Sequence, residues 1–321
     1  MTLTQLPIIS FAQLDTEQER TRLRKAASDV GFFYLVDHGL ATEQLQQVLA
    51  VSRQFFALPD AQKRALDMEN SPHFRGYNGV GAEQTAGAAD TREQFDWMNE
   101  TTALDNPQQP WQRLIGPNQW PQSLPQLRQQ LLALTAKQTQ VAVGLLRALC
   151  QSLGVDAHAL DHTFSDAPYT HAKIIKYPGV EGATQGVGAH KDPGYLTFVL
   201  QDQQSGLEVE HDGEWLSVEP LAGSFVVNIG ELLELASDGF LQATKHRVRV
   251  PKPGTYRYSA AYFMAAQLDA EVPVLDLPAE MKARSQGVST DPNNPLLRQV
   301  GENVIKGRVR SHPNVAAAHG Y

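Results

Sequence analysis

Up to about residue 170 the apolar positions recur mainly at helical spacing, interrupted by two short apolar runs. Residues 6–11 read as a short strand. Thr16 and Glu19 then stand at capping-box spacing and open a charged helix that ends near Gly31. Residues 32–36 form a second apolar strand, closed by the turn Asp37, His38, Gly39. Leu45, Val48, Leu49, Ser52 and Phe55 or Phe56 repeat along one face of an amphipathic helix that stops before Pro59. From 70 to 121 the pattern dissolves into Gly, Pro, Asn and Gln around Trp97, Trp111 and Trp120, which predicts a long irregular segment such as a lid. A long helix follows, with Leu127, Leu131, Leu134, Val141, Leu145 and Leu149 on its buried side and Gly154 as its end.

After His171 the period changes to two. Alternating stretches separated by Gly, Pro or Asp turns cover 173–177, 195–201, 215–218, 224–229, 244–250 and 256–264. Many short strands at this spacing predict a sandwich or jelly roll and not a parallel α/β sheet. The expected class is mainly β with flanking helices. Its regions would be a mixed N-terminal part (1–123), a backing helix and connection (124–170), a jelly-roll core (171–270) and a C-terminal extension (271–321), together one compact unit. The extension is Pro-rich and polar, with weak helical character at 277–284.

Composition narrows the partners. The 321 residues are 42% apolar and 19% charged, as in ordinary globular proteins. A net charge of −8 gives no reason to expect nucleic acid or an anionic membrane as a partner. The basic stretch 306–310 reads as a solvated face. Cys150 is the only cysteine, so an internal disulfide and any cysteine-built metal site are excluded; its apolar helical setting predicts a small buried hydrophobe. No basic segment leads into a long apolar run at the N-terminus, and no apolar run reaches membrane-spanning length, which predicts a cytoplasmic protein.

The candidate chemistry lies in the strand region. His190 and Asp192 are two residues apart, so on an extended segment both side chains point one way and Lys191 the other. His246 falls within another predicted strand. Two histidines and one carboxylate bound facially leave three adjacent coordination positions open, the arrangement of non-haem iron(II) oxygenases. His–X–Asp alone is a weak signal, but Arg257 and Ser259 share a strand face with apolar Ala261 and Phe263. That face looks inward, and a buried guanidinium requires an anion.

The order of motifs resembles the isopenicillin N synthase-like family of iron(II)/2-oxoglutarate-dependent oxygenases. It runs Tyr177–Pro178, His190–Lys191–Asp192, Gly206–Leu207–Glu208–Val209, Trp215, Asn228–Ile229–Gly230, His246–Arg247–Val248 and Arg257–Tyr258–Ser259. Pro7 to Ile9, Gly31 to Tyr34, His38–Gly39, Arg75–Gly76–Tyr77 and Asp90 to Phe95 are similar to the family's N-terminal region. The resemblance implies a double-stranded β-helix in which His190, Asp192 and His246 bind Fe(II). It implies that Arg257 and Ser259 hold the distal carboxylate of 2-oxoglutarate, with Tyr177 either adding a hydroxyl there or serving as a core tyrosine. Asn228 falls where the family uses a backbone-supporting residue. No catalytic group beyond the metal ligands is implied. The expected activity is dioxygen-dependent oxidation, chiefly hydroxylation, of a small organic molecule with release of succinate and carbon dioxide; ascorbate is an optional reductant.

Three positions depart from the family pattern: Lys191 between the ligands, Glu231 after Asn228–Ile229–Gly230, and Lys173 ahead of Tyr177–Pro178. They suggest a substrate class unlike those of the plant hormone and flavonoid enzymes. The alternatives are a co-substrate-free iron oxidase of the same family, a non-catalytic binding protein on the same fold, and a zinc hydrolase, which would leave Arg257 and Ser259 unexplained. On the substrate side Arg75, Tyr77 and Phe95 are candidate contacts within a glycine-rich segment, 73–97. Arg75 either closes on substrate there or pairs with Glu83 or Glu93 and staples a loop.

Overall fold

The computed structural model describes residues 4–164, 167–183, 185–288, 291–292 and 294–321. Its larger sheet has eight strands in the spatial order β1 (Ile8–Ser10), β2 (Phe32–Val36), β12 (Phe225–Ile229), β9 (Leu196–Gln201), β14 (Tyr256–Ala265), β7 (Tyr169–Pro178), β6 (Glu93–Met98) and β3 (Gly76–Asn78). The smaller sheet has four, β11 (Glu214–Ser217), β10 (Leu207–His211), β13 (His246–Val248) and β8 (Val187–His190). A separate ribbon pairs β4 (Gln84–Thr85) with β5 (Ala88–Ala89). The helices are α1 (Glu17–Asp29), α2 (Thr42–Phe56), α3 (Asp60–Arg64), α4 (Pro125–Ser152), α5 (Glu231–Ala236), α6 (Ala279–Lys282), α7 (Val300–Ser311) and α8 (Pro313–His319). Among the described residues no helix is long and apolar enough to cross a membrane.

Strand alternation sorts every strand of the larger sheet into two jobs. Phe33, Leu35, Phe95, Trp97, Ile174, Phe198, Val227, Ala260 and Tyr262 join α1, α2 and α4 in the main core. Their neighbours along the strands turn the other way. Phe32, Tyr34, Val226 and Ala261 meet Val187, Leu207, Val209 and Val248 of the smaller sheet in a second apolar cluster. Two sheets closing over this cluster, with helices on one outer face, make the jelly roll.

Local sequence explains most boundaries, and the differences have physical causes. Thr16 caps α1 through Glu19 N at 3.2 Å, but Glu19 does not return the bond. Its carboxylate accepts from Ser10 N at 2.6 Å and ties β1 to the helix. Gly154, at φ +73°, ends α4. The 70–121 segment is not an irregular lid: β3 and β6 within it belong to the larger sheet. All six residues of β6 are buried, polar Gln94 and Asp96 included, so its alternation lacks the usual apolar signature. β10 was not expected as a strand, and the expected strand 244–250 contracts to β13. The C-terminal extension is more helical than its composition predicts, with α7 and α8 beyond the short α6. The basic stretch is not a solvated face either, because Arg308 is buried and its guanidinium reaches Asp96 at 3.5 Å. Cys150 is buried as expected, and burial pushes its thiol up to about 12.

Candidate active site

Three side chains converge where the two sheets meet at one end. His190 ends β8, His246 begins β13, and the two are paired across the ladder. Asp192 lies two residues past the end of β8, outside the strand, yet its side chain still joins His190. Its oxygens are 3.5 Å from His190 Nε2 and 3.7 Å from His246 Nε2. One donor atom from each of the three falls within 4.8 Å of the others.

Backbone carbonyls set the tautomers. His190 Nδ1 donates to Gly188 O at 2.8 Å and His246 Nδ1 to Thr244 O at 3.2 Å, leaving both Nε2 atoms free to face the carboxylate. Asn228 Nδ2 donates to Asp192 Oδ2 at 2.9 Å, so Asn228 supports the carboxylate directly and not only the backbone. Phe32 stands edge-on to the His246 ring, centroids 5.2 Å apart. Burial and the neighbouring His190 hold His246 down at about 4. Burial also opposes charge on His190, but the Asp192 carboxylate outweighs it and raises that histidine. Asp192 itself is held well below the usual carboxylate range: burial works against this, and both histidines overcome it. An anionic oxygen and two imidazole nitrogens at this spacing suit a divalent cation of borderline hardness.

The anion site expected at Arg257 has the geometry of one. Arg257 is 1% exposed, Nη2 donates to Gln201 Oε1 at 2.8 Å, and Nε and Nη1 have no hydrogen-bond partner. Its guanidinium lies 5.1 Å from the Tyr177 ring centroid. Ser259, two residues along β14, is buried on the same face. Lys191 Nζ points to Glu234 of α5 at 3.1 Å, away from the ligand atoms.

The candidate substrate contacts Arg75, Tyr77 and Phe95 fall in the scaffold instead. Arg75 donates to the carbonyls of Asn99 at 3.0 Å and Leu114 at 2.8 Å, to that of Gly116, and to the Asn118 side chain. It pairs with neither Glu83 nor Glu93. A guanidinium surrounded by carbonyl oxygens is satisfied without an anion, and burial lowers it only to about 10. Tyr77 donates to Glu93 at 2.8 Å, and Phe95 packs into the main core against Phe55.

Sequence reasoning missed a buried wall of opposite charges beside His190, Asp192 and His246. Glu83, Asp90, Arg92, Asp96, Lys173, Arg308 and His312 are all buried, and His171 nearly so. Arg92 reaches Glu83 at 2.7 Å and Asp90 at 3.1 Å. Asp90 accepts from Gly188 N, whose carbonyl holds His190, so the wall is joined to the metal-side strand. His171 Nε2 contacts Asp96 at 2.6 Å while its ring stacks on Phe263 at 5.0 Å. Burial first, and Arg308 in part, push His171 down to about 3. Burial likewise brings His312 to about 4. The one available signal was alternation: Asp96 and Gln94 share a face, as do His171 and Lys173.

Comparison with known proteins gives the same outline along the chain. Residues 6–123 match the family described as non-haem dioxygenase in morphine synthesis N-terminal, and 169–266 match the 2OG-Fe(II) oxygenase superfamily. The 2-oxoglutarate-dependent dioxygenase frbJ of Dothideomycetidae sp. (strain 11243) is 32% identical over 340 residues, covering 98% of this chain and 92% of the relative. A homoarginine-6-hydroxylase of Arabidopsis thaliana is 34% identical over 269 residues, covering 83% and 74%. The structure of JOX2 in complex with 2OG, Fe and JA superposes with a TM-score of 0.76 at 25% identity, covering 98% of this chain and 89% of that one. The dioxygenase for auxin oxidation in rice shares the fold, with a TM-score of 0.70 at 24% identity over 98% and 99% of the chains.

Proposed function

Because the chain belongs to the iron(II)/2-oxoglutarate-dependent oxygenases of the isopenicillin N synthase-like type, we propose that His190, Asp192 and His246 hold its iron and that Arg257 receives the distal carboxylate of 2-oxoglutarate. The enzyme is a dioxygenase of small molecules, dependent on Fe(II) and 2-oxoglutarate. Bound iron with its co-substrate supplies the oxidation, in which dioxygen turns the keto acid into succinate and carbon dioxide and leaves one oxygen atom in a substrate C–H bond.

The chain's own residues prepare that reaction. Gly188 O and Thr244 O fix the two imidazoles, and Asn228 fixes the Asp192 carboxylate, so the donors need no reorganisation. Phe32 covers one side of His246 and keeps water from it. Beside Arg257, Ser259 is buried on the same strand face and the Tyr177 ring lies against the guanidinium while packing into the second apolar cluster.

The observation that carries the co-substrate assignment is Arg257, a buried fork with two unpartnered nitrogens. A buried donor left unmade costs about 1–3 kcal/mol, more when charged, and a bidentate carboxylate removes that cost. Calorimetry of 2-oxoglutarate binding to the iron-loaded protein tests it. Arg257→Gln should weaken binding at least tenfold, about 1.4 kcal/mol or more, with iron affinity nearly unchanged. Equal 2-oxoglutarate affinity in that variant rejects the assignment.

A further inference from the structure

Apart from Asp90, which accepts from Gly188 N beside His190, the charged wall makes no hydrogen bond to the residues assigned to iron or 2-oxoglutarate. Buried ion pairs are weak stabilisers, since desolvating the charges costs several kcal/mol per ion, and apolar replacements often do as well. As a staple for α7 the wall is therefore a poor device, and its geometry is not that of a staple. Charge-assisted hydrogen bonds are about 2.7–2.9 Å long. Lys173 Nζ lies 3.4 Å from Glu83 and 3.6 Å from Asp96. Arg308 is 3.5 Å from Asp96, and His312 Nε2 is 3.6 Å from Glu83. Both carboxylates already have short partners, Arg92 at 2.7 Å and His171 at 2.6 Å. The loosely held groups are the cations Lys173 and Arg308, the second of which also meets the Tyr169 side chain; His312, kept neutral by burial, is not among them.

Spare acceptors lie on the same wall. Gln94 and Asn78 are register partners on β6 and β3, both buried, and Gln94 Oε1 and Asn78 Oδ1 have no hydrogen-bond partner. The Gln94 amide cannot simply be turned over, because its nitrogen donates to Asp96 at 2.8 Å. Both ring nitrogens of His312, which is fully buried, are also unpartnered. A ligand carrying only positive charge would meet the oxygens but be repelled by Lys173 and Arg308. One carrying only negative charge would face Glu83 and Asp96. A molecule with both signs satisfies the two sets at once.

The wall also faces the reacting centre. Asn228, Thr197, Phe263 and His171 are successive partners across the larger sheet. Neighbouring strands are about 4.8 Å apart, so Phe263 lies roughly 10 Å from Asn228, the residue on Asp192. A small molecule anchored at the wall can lay its carbon skeleton along Phe263 toward the ligands.

Resting on the iron and 2-oxoglutarate reading above, we infer that this wall selects the substrate and that the substrate is a small amino-acid-like zwitterion. Its carboxylate takes the loose donors of Lys173 and Arg308, and its cationic nitrogen is received by Asp96 and Gln94 Oε1. The test uses the full-length wild-type enzyme with iron(II) and 2-oxoglutarate, and measures succinate release. The probes are the proteinogenic amino acids, each beside its decarboxylated amine and its deaminated acid, with uncharged heterocycles as a further set. At least one amino acid should raise release tenfold or more above the substrate-free rate, and its amine and its acid should each be at least tenfold less effective. In Lys173→Gln the KM for that amino acid should rise at least tenfold, while the KM for its amine moves less than twofold; a generally loosened fold would shift both. If substrate-free turnover is present but no amino acid stimulates it, or a singly charged or uncharged probe does as well, the zwitterion is excluded and the oxygenase reading stands. No succinate under any condition rejects both.

Discussion

At the scale of single residues, the metal-side triad is held by very few contacts, each separable. Asp192→Ala removes the one anionic side chain of the triad and leaves Asn228 Nδ2 only its long contact to Ile229 O at 3.5 Å. Iron(II) affinity should fall by at least a hundredfold with the far-ultraviolet circular dichroism unchanged, and wild-type iron binding in this variant would refute the ligand assignment. Lys191→Thr takes nothing from the ligand atoms, because that ammonium lies at Glu234. Iron and 2-oxoglutarate affinities should stay within about twofold of wild type, and a larger loss in either titration would place Lys191 in the site. The pattern His–X–Asp was readable because its two side chains sit two residues apart on one short segment, and the fold brings them together with His246. The wall was not, since its members come from β6, β7, the 83–92 segment and α7 with the residue after it. No short window of sequence holds more than a fragment of it.

Elements explain what was misjudged at Arg75. A lone arginine among glycines and aromatics reads equally as a substrate contact or a staple, because sequence does not tell where carbonyl oxygens will point. Here the 114–116 backbone and Asn99 O point inward and Arg75 collects them. Arg75→Ala would leave the Asn99 and Leu114 carbonyls without this donor at about 1–3 kcal/mol each, while Gly116 O keeps the Thr101 hydroxyl. The melting temperature should drop by about 5 °C or more, without a change in 2-oxoglutarate affinity at lower temperature. A stable variant with weakened substrate binding would return Arg75 to the pocket. Gly230 shows the same dependence on backbone approach. A Cβ there would lie 2.1 Å from Gly194 O and 3.2 Å from Asp192 O, where the chain leaving β12 crosses the loop after Asp192. Gly230→Ala should therefore lower iron affinity as well as stability, which parallel iron titration and thermal melts would measure. The long helices and the strands β1, β2, β7, β9, β11, β12 and β14 were legible from periodicity alone. β6 was not, because a strand buried on both faces with polar residues on one of them carries no apolar alternation.

Over the whole molecule, burial of histidines sets an acid limit. His171 and His312 sit at about 3 and about 4 in the folded protein against an ordinary value of 6.5. Below pH 6.5 the unfolded chain takes up these protons and the folded chain does not, so stability is complete above that pH and falls as pH drops toward 4. Each histidine contributes a slope of about 1.4 kcal/mol per pH unit through that window. Denaturant midpoints measured between pH 7 and 4.5 should decline accordingly, and His312→Asn should show a shallower decline than wild type; equal slopes would mean that His312 is protonated in the folded state. Glu83 and Asp96, held below the usual carboxylate range by the cations around them, add a second loss only at pH values under about 4.

The position of α7 and α8 also closes the molecule on itself. Arg113 meets the carbonyl of His319 across 206 residues of chain, and the Tyr321 hydroxyl reaches Pro72 O across 249. The larger sheet already joins Leu35 to Phe225, and because loop-closure entropy grows only with the logarithm of length, these closures cost hardly more than that pairing. In a refolding time course 2-oxoglutarate binding and substrate-stimulated turnover should therefore recover together, as one cooperative event.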